Sequence, residues 1–173
     1  PKVWGDLAGP CLFAVLMGLG RCVYGLWGAQ MPLVPALVGC GILATGCYLT
    51  AALARAPGLS LAGCALCGLA VSLLWPGTFS LATTRFPFGG AAMFGLLAVG
   101  GDAGAAVGPW VAGAVAEATS GSQGPCSALA ALLPAAGGAG LRAGLLCGTV
   151  FPLGVVAIAV AYGRTARRRA TAP

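Results

Sequence analysis

An aspartate, Asp102, sits inside an otherwise apolar stretch, GLLAVGGDAGAAVGPWVAG, residues 95–113. A carboxylate at the centre of a bilayer costs at least about 2.5 kcal/mol on insertion scales, so it is retained where it faces a partner or a cavity. In such a place it can bind a proton, a cation or a polar group of a substrate. Helical spacing puts Asp102 on one face with Gly95, Ala98, Ala105, Pro109 and Gly113. That face is small, which suits a neighbouring helix or a water-filled path better than lipid. The alternative is a neutral or hydrogen-bonded packing residue between helices. Gly104 and Gly108 form a small-xxx-small pair that permits close helix contact. Pro109 removes a backbone donor and can bend the helix.

A second candidate is Trp75-Pro76. A proline inside an apolar span frees a carbonyl and breaks the helix, as happens near the midplane sites of transporters. Trp75 could stack on a substrate ring; packing or facing lipid is the plainer reading. Thr78, Ser80, Thr83 and Thr84 follow, and their hydroxyls can bond across helices or to their own backbone.

Enzyme chemistry finds little support. The chain has no histidine and only three carboxylates, Asp6, Asp102 and Glu117, and no nucleophile is clustered with them. Asp6 opens the first apolar segment as a helix cap, and Glu117 closes the fourth in solvent. A phosphate loop, an HExxH motif and a four-thiolate zinc arrangement are all absent from the sequence. The expectation is a protein that is not an enzyme and needs neither cofactor nor metal. Of the eight cysteines, Cys11, Cys22, Cys40, Cys47, Cys64, Cys67 and Cys147 lie within or at the ends of apolar segments, where Cys behaves as a small hydrophobe. Cys64-x-x-Cys67 has the spacing of a redox or metal pair but lacks a second pair. Cys126 falls in a loop.

The elements that must position these residues follow from composition. The chain is 59% apolar and 7% charged, whereas a soluble domain carries about 25% charged residues. With so few charges, 173 residues cannot cover a globule with polar surface. Thirty glycines fit helices that cross closely in a bilayer. A membrane helix needs about 20 apolar residues. Five segments qualify, at about 7–27, 32–54, 60–84, 90–117 and 140–162. The connections GAQMP, RAPG and RFPFGG are short and carry Pro or Gly. Residues 118–139 read as a longer loop, with room for one short interfacial helix. The expected fold is therefore all-α, a polytopic bundle of about five spans over residues 1–163, with a basic tail at 164–173.

Net charge is +6. Four of the basic residues lie in GRTARRRATAP, directly after an apolar segment, which reads as a cytoplasmic anchor and not as a nucleic-acid site. With the C-terminus in the cytoplasm, Arg21, Arg85, Arg164, Arg167, Arg168 and Arg169 fall inside, and Lys2, Arg55 and Arg142 outside. The tail decides this orientation. Arg21 and Arg85 then serve as topology anchors.

The glycine-proline spacing of the fourth segment, Gly95, Gly104, Gly108-Pro109 and Ala112-Gly113, resembles the motif G-x8-G-x3-GP-x2-GG of major facilitator superfamily transporters, with Ala112 in place of one Gly. GLGRCVYGLWG (18–28) resembles a reduced form of that family's cytoplasmic loop motif; Gly20-Arg21 remains, while the Asp and the later basic residues are missing. LLWPGTFSLATTRFP (73–87) resembles helix ten of sugar-permease-like members.

The resemblance covers nearly the whole chain and implies helices eight to twelve of a twelve-helix plasma-membrane transporter. The rival register is helices two to six. It implies alternating access by two six-helix bundles, moving a small-molecule substrate with protons as a coupling ion. Asp102 would then be the coupling or substrate carboxylate. Trp75 would line the cavity, and Gly104, Gly108, Pro109, Pro76 and Arg21 would set helix shape and gating. The partners would be the N-terminal helices of the same protein and the bilayer. Two readings from other classes are a non-transporting membrane scaffold or assembly subunit, and a small channel. The channel lacks repeated polar rings.

Overall fold

The computed structural model describes residues 2–120, 133 and 138–170; the side-chain surroundings of residues 2–4, 6, 120 and 167–170 are not described. The loop expected at 118–139, including Cys126, lies almost wholly outside the described residues, as do Pro1 and residues 171–173. Among the described residues seven α-helices follow in order: α1 Lys2–Trp27, α2 Leu33–Leu53, α3 Pro57–Val71, α4 Leu74–Arg85, α5 Gly90–Ser120, α6 Ala139–Gly148 and α7 Val150–Ala170. A single 3-10 turn, Gly28–Gln30, joins α1 to α2. No strand occurs among the described residues.

Among the described residues five stretches are long and apolar enough to cross a membrane: Leu7–Gln30, Leu33–Leu53, Pro57–Arg85, Gly90–Thr119 and Ala139–Ala166. The third and fifth are each built from two helices. The basic segment expected as a tail continues α7 in helical form to Ala170.

The two breaks have the same cause. In the third span, Ser72 and Leu73 form a turn between α3 and α4. Pro76 has no N–H, so the carbonyl of Ser72, four residues back, loses its helical donor. The Ser72 hydroxyl donates to the Leu69 carbonyl at 2.7 Å, and its N–H reaches the same oxygen at 3.3 Å. In the fifth span, Pro152 deprives Gly148 in the same way. Thr149 at the break donates its hydroxyl to the Leu146 carbonyl at 2.6 Å and its N–H to that carbonyl at 3.1 Å. The first break matches the expectation for Pro76. The second was not expected, because GTVFPLG lies within a continuous apolar run.

α2 is the axis of the bundle. Leu37, Gly41, Ala44, Cys47 and Ala51 are buried along it at helical spacing. The third span packs on one side of α2 and the fifth on another, while α1 lies against α3 and α5 against α6. The largest side chains are not at the centre: no large side chain is fully buried among the described residues. The buried apolar residues are mostly alanines, with Ala44, Ala52, Ala70 and Ala143 at 0–1% exposure. Lipid is as apolar as leucine, so helices in a bilayer gain little by burying large apolar groups and associate by close backbone packing.

One crossing shows how close. A Cβ on Gly144 of α6 would lie 2.5 Å from the Ala112 carbonyl oxygen of α5, with no flexible side chain to give way. Gly104 of α5, in contrast, would carry a Cβ into open space. Gly144→Val should therefore separate α5 from α6 at a cost of about 1–3 kcal/mol, the usual range for overpacking. Gly104→Ala should leave the isolated chain unchanged or slightly more stable, since alanine is the better helix former. Unfolding of the detergent-solubilised chain, followed by helical circular dichroism, would separate the two.

Candidate functional site

Two sites on α5 draw the sequence candidates together. The first is aromatic. Trp75 of α4 packs against Phe79 with ring centroids 4.8 Å apart and planes tilted at 55°. Phe79 in turn stacks on Phe94 of α5, at 5.5 Å and 17°. The far edge of the Trp75 indole lies over Gly101, where any Cβ would overlap the ring. Gly101 is the residue before Asp102, so the indole is seated on the turn that carries the carboxylate. Trp75 remains 45% exposed. The exposed part of the indole can attract a cation through the ring quadrupole.

Asp102 lies near the middle of α5 and is exposed. No hydrogen bond or ion pair ties it to another described residue. Of the face assigned to it from sequence, Gly95, Ala105, Pro109 and Gly113 are exposed and Ala98 is half-buried. The neighbouring helix expected on that face is not supplied by the described residues; α5 instead packs through Ala112 onto α6.

The second site is a cavity of about 470 Å³ between α2, α5 and α6, lined by Tyr48, Gly104, Gly108, Pro109, Gly148 and Phe151, among others. Among the described residues no helix closes on Gly104 and Gly108, the pair expected to permit a tight contact. A Cβ on either would meet nothing within 4 Å, so the missing side chains leave space and the close approach falls one turn on, at Ala112. Pro109 sits within α5 without ending it, but leaves the carbonyl of Ala105 without its helical donor. Pro152 does the same to the carbonyl of Gly148, which lines the cavity. The cavity is thus walled by glycines and bordered by freed backbone acceptors, with the half-buried Tyr48 as its polar side chain. Trp75 and Pro76 do not line it.

Tyr48 and Gly148 were missed in the sequence. Tyr48 is one aromatic in an apolar helix, with no local signal. Gly148 had one: it stands four residues before a proline, as Ser72 does.

The remaining candidates are dispersed. Arg21 is exposed on α1, away from both sites. Arg85 closes α4 and lines a groove with Tyr162 and Thr165 of α7. Glu117 is exposed near the end of α5, and the side chain of Asp6 lies outside the described residues. The hydroxyls divide: Thr78 donates to the Leu74 carbonyl at 2.5 Å, and Thr83 and Thr84 donate to that of Ser80 at 2.9 and 2.8 Å. Ser80 alone bonds across helices, its Oγ 2.8 Å from the Tyr24 hydroxyl of α1. Cys47, Cys64 and Cys67 border a smaller space of about 160 Å³ with Phe13 and Tyr48. Among the described residues no group of three or more His, Cys, Asp or Glu could hold a metal ion.

No family model, curated protein or solved structure matches the chain. The residues and their geometry therefore carry the functional argument alone.

The seating of Trp75 on Gly101 is directly testable. Gly101→Val should lift the indole off α5, shift tryptophan emission and weaken the near-ultraviolet dichroism of the aromatic cluster. Gly100→Val, at a position where a Cβ meets open space, should leave both spectra unchanged. Equal spectra for the two variants would mean that the indole does not rest on α5.

Proposed function

We propose that the chain forms part of a secondary active transporter that moves a small solute by alternating access, with helices corresponding to eight to twelve of a major facilitator fold. On this reading the C-terminus is cytoplasmic and the membrane is the plasma membrane. The observation that carries the reading is Asp102: a carboxylate near the middle of an apolar span, next to the glycine on which Trp75 rests. Intramembrane carboxylates mark proton relays and ion or substrate paths. Asp102 would bind the coupling proton or a polar substrate group, and Trp75 would supply a stacking surface beside it.

Two further features support the proposal. The third and fifth spans are both interrupted within the apolar depth, at Ser72–Leu73 and at Thr149, and discontinuous spans are characteristic of transporter binding regions. The cavity at Gly104, Gly108 and Pro109 gives α5 space to move against α2 and α6. Rocking one bundle against another needs such smooth contacts, since bulky interdigitated side chains would lock one state. Five spans cannot enclose a path between two six-helix bundles, so the remaining helices of a longer chain would complete the machine.

The test uses the full-length protein in liposomes, with a panel of radiolabelled sugars, amino acids, organic anions and cationic drugs under an imposed proton gradient. Saturable uptake of one class is expected. Asp102→Asn should lower it at least about tenfold, equivalent to about 1.4 kcal/mol. Undiminished uptake in Asp102→Asn would remove the coupling role of Asp102. Absence of gradient-dependent uptake for every class would favour a non-transporting scaffold.

A further inference from the structure

A broad groove lies at the opposite end of the bundle from Arg85, and the transport reading does not use it. It measures about 980 Å³ and runs between α1, α3 and α6. Its rim carries two arginines, Arg55 from the α2–α3 connection and Arg142 from α6. Its wall is apolar, with Pro10 and Phe13 on α1 and Leu61 and Cys64 on α3.

Among the described side chains, which do not include that of Asp6 on α1, no carboxylate pairs with the rim arginines. Arg142 is half-buried and donates through Nη1 to the carbonyls of Ala52 and Ala54, at 3.2 and 2.8 Å. Those acceptors are neutral, so they fix the guanidinium over the end of α2 and leave its charge uncancelled. Its other N–H donors have no hydrogen bond to a described residue. Arg55 is exposed, and no described carboxylate lies within ion-pair distance of either arginine.

Depth sorts the groove by polarity. Arg55 precedes α3 and Arg142 lies in the first turn of α6, both at the level of the helix ends. Cys64 lies seven residues into α3, which at 1.5 Å per residue is about 10 Å deeper. Phe13 and Leu61 flank the way down. A cationic rim at headgroup level above an apolar channel along the helix axes is the shape and charge complement of an anionic amphiphile. Basic pockets between transmembrane helices on the cytoplasmic side hold anionic headgroups; in the orientation proposed above this rim meets the outer leaflet, where the same charge complementarity applies.

We infer that this groove is a specific site for an anionic phospholipid, its phosphate held by Arg55 and Arg142 and one acyl chain lying along Pro10, Phe13 and Leu61. The lipid would hold α1, α3 and α6 together at the end where the Arg142 bonds tie α6 to α2. The inference is independent of transport.

A photoreactive probe tests it: phosphatidylglycerol with a diazirine in its acyl chain, compared with the phosphatidylcholine analogue, in vesicles containing the chain. Crosslinks are located by peptide mass spectrometry. The phosphatidylglycerol probe should mark the peptides around Phe13 and Leu61 at least about tenfold more than the phosphatidylcholine probe. Arg55→Gln, at an exposed position, should reduce that labelling several-fold without affecting the fold. The double variant Arg55→Gln/Arg142→Gln should abolish the preference, and Arg85→Gln, at the other end, should not. Equal labelling by the two probes, or a preference unchanged in Arg55→Gln, overturns the assignment. So does displacement of the probe by millimolar inorganic phosphate, since the site would then take a free anion.

Discussion

Close approach of backbone to backbone is the constraint on which the structure depends. At each main helix crossing a glycine is set against a carbonyl of the facing helix: Gly68 against Phe13, Gly63 against Cys47, Gly41 against Pro152 and Gly144 against Ala112. An added Cβ would lie 3.1 Å from the Cys47 oxygen and 3.3 Å from that of Pro152. At this range the Cα hydrogens of glycine can point at the opposing carbonyl, a weak attraction that recurs at helix–helix interfaces. Each contact is small, but lipid cannot replace the dispersion and dipole interactions that two touching backbones share. The glycine content is therefore spent on surfaces. Several other glycines, including Gly39, Gly46 and Gly113, face open space.

The same constraint fixes where the chain may break. Inside a bilayer a carbonyl without a donor is costly, so an interruption needs local compensation. Ser72 and Thr149 satisfy the carbonyls of Leu69 and Leu146, one turn before each break, with their hydroxyls and N–H groups. Both breaks adjoin α2, whose buried face is small and regular. A straight, tightly packed axis thus carries two kinked spans at its sides.

The five apolar spans were legible because their signal is local: long runs of Leu, Val and Ala, ended by Gly and Pro. Pro76 was legible as a break for the same reason. What the sequence hid depends on tertiary placement. Arg55 and Arg142 are far apart in the chain, and only the antiparallel return of the fifth span brings them to one groove. Tyr48 acquires a role by facing a space left by glycines on two other helices. Gly104 and Gly108 read as a contact because small residues usually mark one; the motif is silent on which turn touches the partner, and the chain uses Ala112.

Asp102 imposes a condition that the described residues do not meet. Its face of α5 is open, and no described residue pairs with it. An ionised carboxylate left against hydrocarbon is unstable by several kcal/mol. The condition can be met in three ways: water reaching α5 along a path, a donor on another polypeptide, or a proton on Asp102 itself. The surrounding face, Gly95, Ala105, Pro109 and Gly113, offers no side chain to shield the carboxylate and no bulk to keep a helix away. A lipid-facing surface would carry large aliphatic side chains throughout, as Leu96 does elsewhere on α5 at 76% exposure; beside Asp102 only Val99, three residues before it, is of that kind. Small residues around a lone acid instead favour a polypeptide or water at close range.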